Sequence, residues 1–512
     1  MRHRTAALLA LTGLVLTGVT VATTATAAKR DPRAAALGAP PGGFAAYHAA
    51  VVKKNDADYV PHAKAVKYSG PKLAFTQSYV GRQAAEPTIG IDQRGRVFFP
   101  ASTFDALPKE SPANNAHTIL LSSGDQGRKW RSVQPIIAGQ DGHPASLDPY
   151  IYVDPKTGRV FDIDLLLTGS YLSYSDDSGE TYTTVALTSA TGANDHQTLF
   201  AGPPPAANPT LIPTDPKFPR IVYYCVNSIA VVGCTHSIDG GRTWSQAGGA
   251  PFPSGVNATP VGICGSLHGH GVADSKGRIF LPQGRCGVPT LAMSEDGGLT
   301  WTDSVVSKGV GAAGTQTSVA VDAADNVYYT WWDNLHRLPY LAVSRDHGKT
   351  WGPSMMIAPP GVHEVNWPTI DAGDAGRITI TFPGTTSVND DDTLPPDDPA
   401  RPWNSYVLVS TNALSSQPLF LSNIANPPYD PVHRGDCNGR CGNMFDFLDV
   451  IVSPADQGRV WAAAVDTCTA VKSCKSKDEP KLAADMQGVA IRQISGPALR
   501  GKAKYLAPDR RR

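Results

Sequence analysis

The sequence carries no excess charge of either sign: 45 lysines and arginines face 45 aspartates and glutamates. That balance excludes the broad basic surface on which nucleic-acid binding depends. No run after the first few dozen residues is long and apolar enough to span a bilayer. The compact cysteine and histidine spacings of structural zinc sites are missing too, although the chain has 8 cysteines. What it has in quantity is glycine (49) and proline (43), without a collagen-like period. That composition suits many short strands joined by turns.

The start reads as a signal peptide over residues 1–28. Arg2 and Arg4 give a positive end, residues 8–21 an apolar core, and Ala25-Thr26-Ala27 a small-residue cleavage site. The expected product is secreted and extracellular, with no membrane span in the mature form and with oxidised cysteines. In order these are Cys225, Cys234, Cys264, Cys286, Cys437, Cys441, Cys468 and Cys474. They fall into four sequence-local pairs, the simplest of the 105 connectivities open to eight cysteines.

Repeats organise the rest. The phrase Ser-x-Asp-x-Gly-x-x-aromatic occurs five times, at Ser123-Gly124-Asp125-Gln126-Gly127-Arg128-Lys129-Trp130 and again from Ser175, Ser237, Ser294 and Ser344. Its aspartate can accept from turn N–H groups, its glycine permits positive φ, and its aromatic can pack between sheets. A second phrase, strand–Asp turn–strand, alternates with it in seven copies beginning near Glu86, Asp148, His196, His268, Gln316, Trp367 and Phe447. Strand pair plus hairpin makes a four-stranded unit. The fold expected is therefore all-β, a propeller of seven blades (six or eight being the alternatives), with the Asp hairpins on the outer strands. The domain spans 72–497, between an N-terminal extension (29–71) and a basic tail (498–512). The unpaired strand near residues 73–79 can serve as the fourth strand of the last blade.

In a propeller the first strand of each blade lines a central channel. The seven aligned positions and their neighbours Asp195, Gln197, His270, Glu364, Asn366, Asp446 and Asp449 are unusually polar for a sheet interior. One reading is a solvated funnel; the other is a ligand or catalytic site. His268 and His270, two apart on a strand, share a face and could act as an acid–base pair or bind a divalent transition metal. Asn389-Asp390-Asp391-Asp392, with Asp397 and Asp398, is a solvated loop or a calcium ligand set. Trp331, Trp332 and Trp403 serve packing or sugar stacking.

The Ser-x-Asp-x-Gly phrase is that of the bacterial neuraminidase repeat, or Asp box, and residues 72–495 resemble the sialidase-like superfamily. The resemblance implies a glycoside hydrolase of exo-sialidase type acting on an extracellular glycan or glycoprotein, or a non-catalytic relative that binds one. Sialidases hold their substrate carboxylate with three arginines, the first in an Arg-Ile-Pro phrase, and use a Tyr nucleophile with Glu and an Asp acid/base. Here that stretch is Ala85-Glu86-Pro87-Thr88-Ile89, with glutamate where the guanidinium belongs. Arg96, Arg159, Arg278, Arg377 and Arg459 fall in turns and are expected to be solvated. The candidate catalytic residues are Glu86, Asp148 and Glu364, assisted by His268 and His270. The candidate binding residues are His196, Gln316, Asn366, Trp367, Arg285 and Arg434. A metal-dependent lyase or hydrolase on the histidine-rich axis is the third reading. No cofactor other than a divalent metal is implied.

Overall fold

A computed structural model of the chain describes residues 68–103, 117–135, 146, 148–188, 194–228, 232–246, 249–252, 267–312, 317–387, 401–428, 430–434, 447–467 and 486–507. The leader, residues 29–67, the acidic loop at 389–398, Gln316, Asp446 and five of the eight cysteines lie outside the described residues. Cys225 and Cys234 form the first expected disulfide, S–S 2.02 Å, and Cys286 is also disulfide-bonded.

Seven antiparallel sheets, one per repeat, make a seven-bladed propeller. Blade 1 runs from the channel outward as Gly90–Ile91, Val97–Thr103, His117–Ser123 and Arg131–Ser132. Blades 2 to 5 repeat that order. Blade 6 splits its inner strand into Glu364–Val365 and Thr369–Ala372, both paired to Ile378–Thr385. The second strands, such as Val97–Thr103 and Val460–Asp466, are buried along their whole length because each blade is sandwiched between two others. They are rich in apolar residues for that reason, with Asp162 and Asp164 of the blade 2 strand as buried exceptions.

Blade 7 takes its outermost strand from the other end of the chain. Ala74–Gln83 pairs with Gln487–Ser495, so the ring closes with no exposed sheet edge at that seam. At the channel the blades are stitched in sequence. A side chain on one inner strand accepts from a backbone N–H of the next: Thr88 from Ile151, Asp148 from His196, Thr198 from Gly271, Ser318 from Ile370, Asp371 from Val452, and Asp449 from Ile89, at 2.6–3.2 Å. Between blades 4 and 5 the Tyr329 hydroxyl does this work, reaching the carbonyls of Gln283 and Thr290 at 3.1 Å.

The recurrent phrase forms one turn in all five places, between the third and fourth strands. In blade 1 the Gly127 N–H donates to Ser123 Oγ at 2.9 Å, the Lys129 N–H to Asp125 Oδ1 at 2.9 Å, and Trp130 Nε1 to the Gly127 carbonyl at 3.1 Å. At Asp177 burial pushes the carboxyl upward, but the Thr181 hydroxyl and turn N–H groups outweigh it and bring the pKa to about 2. These aspartates are spent on turns.

The turn arginines are not uniformly solvated. Arg159 is 1% exposed, paired with Asp176 at 2.6 Å and Asp215 at 2.9 Å, and donates to the Gly240 carbonyl of blade 3. Arg459 is buried as well, against Asp456 and the Gln493 carbonyl. Both guanidiniums bolt parts of the ring together, which five donors in a planar fork allow. Trp331, Trp332 and Trp403 are buried between blades and offer no surface to a sugar. Residues 498–507, at the start of the expected tail, pack on the ring: Leu499 is fully buried and its carbonyl accepts from Asp374 N–H at 2.9 Å.

Removing the Arg159 guanidinium takes from Asp215, a buried carboxylate, its buried partner and leaves it the half-exposed Arg242 at 3.1 Å. Arg159→Met should cost about 3 kcal/mol, the lower end for a broken buried pair. Urea denaturation checks this; a loss under about 1 kcal/mol, the range of a surface pair, would show that the pair is a surface ornament.

Candidate functional site

The expected site residues sit just before the inner strands, and the chain is bent there. Glu86, His196 and Trp367 all have positive φ, 50°, 58° and 45°. Such a conformation is costly for side chains of this size and recurs where geometry is imposed by function or closure. His196 is the extra residue of a bulge between Asp195 and Gln197, and Trp367 occupies the break in the blade 6 inner strand. Neither position holds a glycine, so nothing in the local sequence announces the bend.

The bends close one end of the channel instead of opening a funnel. Glu86, His196, His268, Asn366, Trp367 and Phe447 are all at most 4% exposed. His196 is the centre of the layer: its ring lies 5.2 Å from His268, 5.6 Å from His270 and 5.1 Å from Phe447, centroid to centroid. Burial, with the two neighbouring imidazoles, holds His196 well below the usual histidine range. Burial brings His268 to about 4, and burial with His268 brings His270 to about 3. His268 Nδ1 donates to the Gly269 carbonyl at 2.8 Å, which leaves Nε2 as a lone pair with no partner among the described residues. Three neutral imidazoles make a poor acid–base pair at neutral pH. Among the described residues no group of three or more His, Cys, Asp or Glu could hold a metal ion.

The remaining expected residues divide. Asp148 joins the cluster, its carboxylate accepting from His196 N–H. Glu364 does not: both its oxygens are taken, one by Arg337 and the other by Arg401 at 2.7 Å. That double pairing leaves neither oxygen open to a ligand. Arg285 is occupied by the Phe252 carbonyl at 3.2 Å, and Arg434 lies in a short strand beside Pro402 and Trp403. The structure does not bring these two arginines to the channel.

The open space lies on the other side of the histidine layer. A cavity of ≈ 250 Å³ runs down the inner strands of all seven blades, from Tyr150 and His270 to Pro155, Pro454 and Arg500. Its polar wall is Tyr150, His270, Ser318, Thr369, Asp371 and Asp449. Tyr150 packs on His270 at 4.6 Å. Burial pushes Asp449 up to about 7, against the N–H groups of Ile89 and Val450, with Asp371 adding to the rise. Burial raises Asp371 too, while the Val452 N–H and Arg500 pull it back. The lining cations are Arg220, paired with Asp154 at 2.6 Å, and Arg500, which donates to the Ala372 carbonyl at 3.2 Å. The sequence reading placed Asp449 among the polar neighbours but missed Tyr150, Asp371 and Arg500. The inner-strand alternation that puts Asp371 and Asp449 on the axis was the available signal.

No protein-family model matches the chain, and no curated protein matches it. Among solved structures it is similar to a protein of unknown function from Dyadobacter fermentans, 14% identical, covering 85% of this chain and 100% of that one, TM-score 0.41. The NanB sialidase from Streptococcus pneumoniae is 12% identical over 84% of this chain and 71% of its own, TM-score 0.39. The GH93 α-L-arabinofuranosidase of Fusarium graminearum is 11% identical over 61% and 92%, TM-score 0.38. Likeness this distant says nothing of the chemistry in this channel.

Two groups of opposite sign govern the acid response. A histidine lowered by burial contributes stability that is complete above about pH 6.5 and is lost as pH falls through about 4. Asp449, raised, contributes stability that is complete below about pH 3.8 and is lost as pH rises through about 7. Thermal melts from pH 4 to 7 should therefore show His268→Leu flattening the acid loss, by roughly 3 kcal/mol at full extent, and Asp449→Asn removing the opposing slope. Parallel pH profiles for all three proteins would refute both assignments.

Proposed function

We propose that this protein binds the terminal residue of a neutral glycan in its central channel. The observation that carries the reading is the cavity of ≈ 250 Å³ walled by Tyr150, His270, Ser318, Thr369, Asp371 and Asp449. That volume lies just under the roughly 300–1,000 Å³ of drug-sized sites, so it suits one sugar ring. Hydroxyls, an imidazole and carboxyls are hydrogen-bond partners for a polyol, and the Tyr150 and His270 rings offer apolar faces. An acidic sugar is disfavoured, because its carboxylate would meet Asp371 and Asp449. Arg220 is committed to Asp154, and Arg500 is drawn to Asp371. The apolar leader and the Cys225–Cys234 disulfide support an extracellular setting. No described helix is long and apolar enough to cross a membrane.

Hydrolysis is the second reading, favoured by one feature. A carboxyl raised to about 7 beside a second carboxyl is the pairing of proton donor and base that glycoside cleavage uses. In this reading Asp449 donates the proton, in place of Glu86 or Glu364.

Calorimetric titration of the purified mature protein with neutral monosaccharides and sialic acid tests both readings. A neutral sugar should bind, and Tyr150→Phe and His270→Ala should each weaken it about tenfold, near 1.4 kcal/mol. Preference for sialic acid, or binding indifferent to both substitutions, sinks the proposal. Aryl glycosides in parallel test cleavage: turnover that falls above about pH 7 and vanishes in Asp449→Asn supports the second reading.

A further inference from the structure

Asp162 and Asp164 lie two apart on Val160–Leu166, the second strand of blade 2, and so share a face. The opposite face carries Phe161, Ile163 and Leu165 toward blade 3. The aspartate face meets blade 1, where Ile151, Val153 and Val160 pack with Phe98 and Leu120. Both aspartates are 0% exposed, and none of their four carboxylate oxygens has a hydrogen-bond partner among the described residues. Thr118, on the third strand of blade 1, is equally buried, and its hydroxyl lies against Asp164. The Tyr182 hydroxyl, also unpartnered, faces Asp162.

Two bare carboxylates cannot stay ionised at this depth, since each costs several kcal/mol. Burial drives both upward, the Asp164 charge adding to the rise at Asp162 and Thr118 pulling Asp164 back. Either protons or a cation must compensate. Protons alone would leave the Asp162 oxygens without partners, since Thr118 reaches Asp164 and not Asp162. Hard oxygen donors buried together without a compensating charge are what a hard cation requires.

We propose that a calcium ion binds between blades 1 and 2 on the carboxylates of Asp162 and Asp164 and the hydroxyl of Thr118. The donors are hard oxygens, and two carboxylates neutralise the ion. Water completes the six to eight positions calcium takes. The ion ties the second strand of blade 2 to the third strand of blade 1, in the apolar middle of an interface whose polar contacts, the Thr88 clasp and the Ser178–Asp92, Gln93–Lys156 and Arg131–Glu180 pairs, lie elsewhere on the blades. The site is separate from the channel, and it stands or falls independently of the glycan reading.

The test is calcium content and thermal stability of the purified mature protein. Elemental analysis should find one calcium per chain, and the melting temperature should fall in EDTA and return with millimolar calcium but not magnesium. Asp162→Asn and Asp164→Asn should each abolish the calcium response. Thr118→Val, which keeps both carboxylates, should raise the calcium concentration needed roughly tenfold and serves if the Asn variants fail to fold. No bound calcium with equal melting in EDTA and calcium overturns the proposal in favour of a protonated pair. A calcium response undiminished in all three variants overturns it in favour of another site.

Discussion

The fold depends on closing a ring of seven sheets that are not joined edge to edge. Within a blade the backbone ladders are self-sufficient; between blades the joining falls to side chains and to scattered backbone contacts such as Ala323 N–H to the Gly373 carbonyl at 3.0 Å. The inner-strand clasps supply the joint, the N–H of each blade donating to a side-chain oxygen of the blade before it, with Tyr329 covering the one interface that lacks the pattern. Ala74–Gln83 adds a covalent latch, because the strand that completes blade 7 leads straight into blade 1. Buried Arg159 plays the same part between the outer turns of blades 2 and 3.

That solution fixes what the channel can do. A clasp needs an acceptor at the axis, and in blades 6 and 7 the acceptors are carboxylates, Asp371 and Asp449. Groups recruited to hold the ring together thus also line the cavity, and burial leaves Asp449 near neutrality in its titration. The histidine layer has the complementary character. Its imidazoles are kept neutral by the same burial that closes the channel end. One environment makes acids weaker and bases weaker, and the channel becomes a polar cavity whose acids and imidazoles carry little charge.

Much of the architecture was legible because the repeats encode it locally. Ser123, Asp125, Gly127 and Trp130 specify a hydrogen-bonded turn within eight residues, and four further copies fix the repeat. The strand pairs between them set the blade. The closing strand could be assigned by elimination, since residues 73–79 had no partner nearby. The arginines were harder: Arg96 and Arg159 stand at equivalent turn positions, yet Arg159 is buried because blade 3 brings Asp215 and the Gly240 carbonyl to it. Glu364 reads as a free carboxylate until Arg337 and Arg401 arrive from separate hairpins.

The sequence by itself determined the turn and the blade, because each is written in residues a few positions apart, while the closed ring chose seven blades over six or eight. Only the tertiary structure decided the site. Left-handed bends at Glu86, His196 and Trp367 fold the expected residues into a plug, while Tyr150, Asp371 and Asp449, from blades 2, 6 and 7, are left facing open space. Which side chains meet at a propeller axis depends on how far each inner strand is bent and shifted relative to six others. No span of sequence holds that information, because it is a property of the closed ring.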